Sequence, residues 1–251
     1  MGRWSRQLAP MMLTFARLRE SEAVLDVGTG TGVLALAVTD AHPGAAVTAI
    51  DPSAAFVEAA TERSSNPRVR FQVGDAQALE FTDASFDATL SLLALNFVPD
   101  PVKALGEMIR VTRPGGVVAA AVWDYAEGME MLRVFWDEAV ALDPATASRD
   151  ERHMPLCHRG ELAALWRHAG LVDVGEQALT TDLVFESVDD YWLPFLDGVG
   201  PAGAYAASLA DPARDALRAR LAARLSNGRG DRGFTLKARA WAVRGVVPLA
   251  G

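Results

Sequence analysis

Hydrophobic and polar positions fall into two rhythms along the chain. Over residues 23–123, short apolar runs ("AVLDV", "AVTAID", "VRFQV", "FDATLSL", "GVVAAAVW") alternate with longer stretches of helical period. The runs are close to uniformly apolar, as strands buried on both faces should be. Helices are predicted over 33–40, 53–63 and 101–112; the last opens on Asp100 and Pro101 and is followed by a turn, "RPGG", at 113–116. Strands separated by helices imply crossover units and a parallel sheet.

Beyond Asp124 the rhythm changes. "MEMLRVFWDEAVAL" reads as a helix, and the polar, proline-containing "DPATASRDERHMPLCHRG" as a loop or lid. "ELAALWRHAG" is a helix stopped by Gly170, followed by a strand within 172–185. Helices around "VDDYWLPFL", "GAYAASL" and "ARDALRARLAARL", a turn at "NGRGDRG" and a final strand in "FTLKARAWAVRGVV" complete the chain. The fold class expected is α/β: a doubly wound, mostly parallel seven-stranded sheet with an inserted helical cap. One domain covers 1–251, with an N-terminal helical segment 1–22, a ligand-binding core 23–123, and cap elements 124–160 and 187–230.

Composition narrows the partners. Half of the 251 residues are hydrophobic, enough for a sizeable core. The longest apolar run, "GGVVAAAVW", falls far short of the ~20 residues that span a bilayer, so no membrane insertion is expected. Arg17 and Arg19 interrupt the N-terminal apolar stretch and no small-residue cleavage site follows, which favours a cytoplasmic address. The single cysteine, Cys157, rules out an internal disulfide framework and reads as a small packing residue. A formal charge of -8 opposes a broad grip on phosphate backbones, so nucleic acid is not an expected partner. The arginines of "DPARDALRARLAAR" read as the solvated face of an amphipathic helix.

The stretch "VLDVGTGTG" at 24–32 is where chemistry enters. A strand running into glycines and then a helix puts unpaired N–H groups and a positive helix end at the carboxyl edge of the sheet, where a ligand can approach bare backbone. A glycine-rich turn alone is weak evidence, because any tight strand-to-helix connection can use one. Asp51, nineteen residues after Gly32, closes the second strand where a carboxylate can accept from both hydroxyls of a ribose; it can equally cap the next helix. Asp75, in "GDA" after the third strand, lies on the same edge and can accept from an exocyclic amine or serve simply as a turn aspartate.

Together "VLDVGTGTG", "AIDPS", "VGDAQAL", "FDATLSLLALNFVPDP" and "VTRPGGVV" resemble the class I S-adenosylmethionine-dependent methyltransferases, especially the branch of ubiquinone and menaquinone biosynthesis. The resemblance covers about 23–123, with a weaker echo in "GELAALWRHAGLVDV". It implies S-adenosylmethionine as cofactor and S-adenosylhomocysteine as product. Gly28, Thr29, Gly30 and Gly32 would then line its methionine and ribose, and Asp51 would hold the ribose. Pro52 and Ser53 would border the adenine, Asp75 would take its amino group, and Ala76 would offer a backbone N–H. Ser91 and Leu92 would present carbonyls to the ammonium, while Asp26 would order the loop or a water. Many relatives carry histidine where this chain has Asn96, which weakens any claim of a histidine base there and leaves Asn96 only to bound the pocket.

Two competing readings are an NAD(P)-dependent oxidoreductase and a non-catalytic S-adenosylmethionine sensor. The dinucleotide fingerprint needs glycine where this chain has Val33, which favours the methyl donor. Methyl transfer from a sulfonium is an in-line displacement that needs alignment and water exclusion, plus a base only when the acceptor must lose a proton. Base candidates are His153, His158, His168, Asp124 and Tyr125, none compelling, so no catalytic residue is assigned. His168 suits a helix C-terminus, and the other two histidines a surface loop. "HMPLCH" lacks zinc-like spacing, and no metal is expected. Phe135, Trp136, Tyr191, Trp192, Phe195 and Tyr205 either line a small, partly apolar or aromatic acceptor or form plain core. The N-terminal "GRWSRQ" either folds over the donor, with Trp4 or Arg6 near its carboxylate, or is an exposed frayed terminus. The oligomeric state is not set by the sequence.

Overall fold

The computed structural model describes residues 2–18, 22–226 and 233–249. Residues 227–232 of the turn expected at 227–233, and residues 1 and 19–21 of the N-terminal segment, lie outside the described residues. One seven-stranded sheet has β1 (Ala23–Val27), β2 (Ala46–Asp51), β3 (Val69–Val73), β4 (Phe86–Leu92), β5 (Thr112–Trp123), β6 (Val172–Phe185) and β7 (Phe234–Val246), in the order β3-β2-β1-β4-β5-β7-β6. The first five strands are parallel and β7 runs antiparallel to β5. Strand order therefore reverses at β1, between β2 and β4, and their carboxyl ends form the switch point where such sheets bind ligands.

The chain divides into two compact units. Unit 1 is Met1–Trp123, Pro155–Leu179 and Ala240–Gly251; unit 2 is Asp124–Met154 and Thr180–Arg239. These bounds differ from the cap segments expected from sequence. Residues 155–160 belong with unit 1 because Cys157 is fully buried and Leu156 packs on the unit 1 core. The end of β6 and the start of β7 belong with unit 2.

In unit 1, β1, β4 and the second half of β5 are buried almost throughout, as their apolar runs require. Helix α1 (Gly2–Ala16) buries Leu8, Met12 and Ala16 and packs on α2 (Val33–Ala41). Helix α3 (Ala54–Glu62) is capped by Ser53, whose hydroxyl accepts from Phe56 N. Helix α4 (Pro101–Val111) starts at Asp100, which accepts from Lys103 N at 2.9 Å, and buries Leu105 and Met108. In α6 (Glu161–His168), Trp166 donates from Nε1 to Val118 O at 2.9 Å and is fully buried. The "RPGG" turn is instead the first part of β5, where the β4–β5 register slips between Phe86 and Ala88 and Gly115 takes φ +78°. A bulge thus does the work expected of a turn.

Unit 2 holds α5 (Glu130–Leu142), α7 (Val188–Leu196), α8 (Gly200–Ser208) and α9 (Asp211–Ser226). The expected loop after α5 contains two 3-10 turns, Pro144–Arg149 and Glu151–His153, capped by Asp143 and Asp150. Phe135, Trp136, Tyr191, Trp192, Phe195 and Tyr205 are all buried; Phe135 stacks on Phe195 at 4.5 Å between centroids, and the Tyr191 hydroxyl donates to Met131 O at 2.8 Å. These aromatics fill one another's space and form the core of unit 2. The α9 arginines are less free than a solvated face implies, since Arg220 and Arg224 pair with Glu138 and Asp137 on α5.

Candidate active site

The glycine loop is built by β1 and β2 together. Their register pairs Val27 with Ile50, and Ile50 O then accepts from both Gly28 N and Thr29 N at 2.9 Å. Gly28, Gly30 and Gly32 all have positive φ, but their surroundings differ. A Cβ on Gly28 would stand 2.3 Å from Ala94 Cβ, and one on Gly32 would stand 2.9 Å from the Phe71 ring. A Cβ on Gly30 would meet nothing within 4 Å. The outer two glycines are demanded by packing, and the middle one turns bare backbone to open space.

Beside it, Asp51 is only 7% exposed. Its Oδ2 accepts from Gly30 N and its Oδ1 from Ser53 N, both at 2.9 Å. Asp51 is therefore not the helix cap, a role taken by Ser53; it ties the loop after β1 to the turn after β2. Each carboxylate oxygen retains a free lone pair, enough to accept two hydroxyls. Pro52 lies between these two tied residues, and it is exposed.

Asp26 sits beneath the loop with no solvent exposure. Its Oδ2 accepts from Thr29 Oγ1 at 2.7 Å and from Ala35 N at 3.1 Å, while Oδ1 has no partner. Burial pushes its pKa up to about 7, against the lowering effect of Thr29 and Ala35. Asp75, by contrast, is exposed after β3, and its pKa is lowered chiefly by the backbone N–H of Gln77, which donates to Oδ1 at 2.8 Å. Ala76 beside it is buried. Two large apolar side chains, Val73 and Phe56, remain about half exposed at the end of β3 and the start of α3.

At the end of β4, Ser91 and Leu92 are buried and pair with Ala120 and Ala121 of β5. Ser91 Oγ has no hydrogen-bond partner, nor has either amide atom of Asn96. Sequence reasoning singled out Ser91 for its carbonyl and missed these unpaired groups. Asp26 in β1, the loop residues Gly28, Thr29, Gly30 and Gly32, and Asp51, Pro52 and Ser53 at the end of β2 are thus joined by hydrogen bonds, while Asp75 and Ala76 follow β3 and Ser91 and Leu92 end β4 on the same edge.

The base candidates fare differently. Asp124 is buried, pairs with Arg239 through Oδ2 and accepts from Glu127 N through Oδ1, contacts that tie the start of unit 2 together. His153 and His158 are exposed, and His168 Nδ1 lies 2.9 Å from Ala164 O on the last turn of α6. Among the described residues no cluster of three or more His, Cys, Asp or Glu is placed to hold a metal. No helix among them is long and apolar enough to cross a membrane.

A cavity of about 980 Å3 lies along α1 and α2, lined among others by Arg6, Leu13, Thr31 and Leu36. It meets the glycine loop only at Thr31, and neither Asp51 nor Asp75 lines it, so it is not the site built by the strand ends. Trp4 is buried and Arg6 is exposed on the cavity rim.

Residues 25–120 match the methyltransferase domain family. The chain is 38% identical over 128 residues to a demethylmenaquinone methyltransferase of Renibacterium salmoninarum, covering 51% of this chain and 52% of that protein. It is 36% identical over 118 residues to a 2-methyl-6-phytyl-1,4-hydroquinone methyltransferase of Synechocystis, covering 47% and 37%. The chain thus spans about half the length, or less, of the curated relatives it matches. In fold it resembles the YcgJ protein of Bacillus subtilis, with TM-score 0.61, 23% identity and coverage of 98% and 99%. It also resembles a Haemonchus contortus phosphoethanolamine N-methyltransferase in complex with S-adenosyl-L-methionine, with TM-score 0.60, 20% identity and coverage of 96% and 52%. Residues 25–120 are thus similar to a methyltransferase domain, and the whole chain shares the fold of solved methyltransferases.

Proposed function

We propose that the protein transfers a methyl group from S-adenosylmethionine to a small, partly apolar or aromatic acceptor by in-line displacement. The observation that carries this reading is the open face of Gly30 beside the buried Asp51 carboxylate, a cradle that a single Cβ would fill. When bound, S-adenosylmethionine supplies an electrophilic methyl group on a sulfonium. Asp51 accepts from the ribose hydroxyls with the lone pairs that Gly30 and Ser53 leave free. Pro52 and Ser53 border the adenine, for which exposed Val73 and Phe56 offer apolar surface. Asp75 accepts from its amine and Ala76 donates a backbone N–H. Gly28, Thr29, Gly30 and Gly32 line the methionine and ribose, and the carbonyls of Ser91 and Leu92 accept from the ammonium. Asp26 orders the loop through Thr29 and Ala35.

The chain's task is then to align donor and acceptor and to keep water out. A small-molecule acceptor rather than a nucleic acid is supported by the net charge of -8. The ring substrates in the names of the two relatives support an aromatic acceptor. Calorimetry with S-adenosylmethionine, S-adenosylhomocysteine and NADH, followed by a methylation screen of small phenols, quinones and amines, tests the proposal. NADH binding in place of sulfonium binding would replace it with an oxidoreductase, and donor binding without turnover would leave a sensor.

A further inference from the structure

An unpaired buried polar group costs about 1–3 kcal/mol, so buried amides nearly always have partners. Asn96 is 4% exposed, yet neither Oδ1 nor Nδ2 has one. It occupies the 3-10 turn Leu95–Phe97, which packs against β5 and α4. Five residues earlier Ser91 Oγ is buried and equally unpaired. Between them Leu93 holds φ +62°, a left-handed conformation that costs a non-glycine residue about 1 kcal/mol. Ala94 takes the space that Gly28 leaves free. Strain and two unsatisfied side chains within six residues mark a segment shaped for a ligand rather than for its own stability.

The sheet order decides which ligand. Asp75 follows β3, Asp51 ends β2 and the glycine loop follows β1, whereas Asn96 follows β4 and packs on the β5 side. A donor held by the two aspartates and the loop occupies the β3-β2-β1 part of the edge. Asn96 lies beyond it, in the direction away from the adenosine. We infer that Asn96 is the polar positioning residue for the acceptor, and that the acceptor carries a hydroxyl, alone or beside a carbonyl. This rests on the methyltransferase reading. An amide offers both a donor and an acceptor, and a hydroxyl can satisfy either. An ammonium, with donors only, would leave Nδ2 unpaired. Because the amide does not titrate, Asn96 orients the acceptor and moves no proton.

The test uses the full chain with Asn96→Leu and Asn96→Ser, read by thermal unfolding, by calorimetry with S-adenosylhomocysteine, and by saturation-transfer NMR on the S-adenosylhomocysteine-loaded protein. The NMR probes are hydroquinone, 1-naphthol and benzylamine. The expected results for Asn96→Leu are a ligand-free melting temperature at or above wild type and S-adenosylhomocysteine affinity within about twofold. Binding of the hydroxylated probes weakens about tenfold, the equivalent of one hydrogen bond, with benzylamine unaffected and Asn96→Ser partly restoring the loss. A melting temperature lowered in both variants overturns the inference, because the amide is then bonded within the fold through a buried water. So does a tenfold loss of S-adenosylhomocysteine affinity, which would assign Asn96 to the donor, or failure of loaded wild-type protein to bind either hydroxylated probe. Wild-type protein that binds no S-adenosylhomocysteine fails earlier, at the methyltransferase reading itself.

Discussion

Asp51 and Asp26 are carboxylates on neighbouring strands with different tasks. Asp51 holds two backbone N–H groups and keeps lone pairs for a ligand. Asp51→Ala should therefore weaken S-adenosylhomocysteine binding about 100-fold, from two lost charge-assisted hydrogen bonds and a loosened loop, as calorimetry would show. Wild-type affinity in that variant would remove Asp51 from the site. Asp26 affects stability instead. Its folded pKa of about 7 lies above the ordinary carboxylate value of 3.8. Between those values the unfolded chain has lost the proton and the folded chain keeps it, so stability falls as pH rises through that window and stays lowered above it. Asn at this position can still accept from Thr29 and Ala35 but never ionises. Asp26→Asn should match wild type near pH 4 and exceed it at pH 8 by up to about 4 kcal/mol in urea unfolding. A variant less stable than wild type at pH 8 would show that the charge is compensated in the fold.

At the scale of elements, the glycine loop separates packing from binding. Gly28→Ala would drive a methyl into Ala94, whereas Gly30→Ala would meet nothing, although both positions have positive φ. Gly30→Ala should fold with a loss of about 1 kcal/mol and still bind S-adenosylhomocysteine at least tenfold more weakly, while Gly28→Ala should lose several degrees in melting temperature as well. Comparing melting curves with calorimetry checks both, and full affinity in Gly30→Ala would move the ligand off the loop. The loop itself was legible, because "VLDVGTGTG" places a buried strand, three glycines and a helix start in nine residues. The helix at Pro101 was legible from Asp100 for the same local reason. What depends on distant contacts was not. The bond from Gly30 to Asp51 exists only because β1 and β2 pair in one register, and the unpaired state of Asn96 follows from what the fold fails to place near it. Likewise, helical spacing could not tell whether Phe135 and Phe195 line a cavity or stack on each other. The bulge in β5 hid behind Pro114 and two glycines, ordinary turn residues that an irregular strand also tolerates.

For the whole molecule, the proposed donor-binding residues belong to unit 1 and the stacked aromatics Phe135 and Phe195 to unit 2, so hydrogen exchange can follow the two separately. A ligand that binds only the folded state stabilises it by about 2.7 kcal/mol at 100 times its dissociation constant. S-adenosylhomocysteine should do so and NADH should not, since Val33 stands where a dinucleotide loop needs glycine. Hydrogen exchange adds location. Protection on adding S-adenosylhomocysteine should concentrate in residues 26–32, 51–53, 75–76 and 91–92, four segments far apart in sequence that share the carboxyl edge of the sheet. Within unit 2, Arg133 and Arg152 both pair with the buried Asp150. Arg133→Met should cost about 1–3 kcal/mol by removing one of the two arginines that hold Asp150, Arg152 remaining, and should raise exchange in 130–154 while leaving the donor-induced protection of the four segments in place. If that substitution instead abolished donor binding at temperatures where unit 1 remains folded, the donor site would not be the property of unit 1 that its strand ends imply.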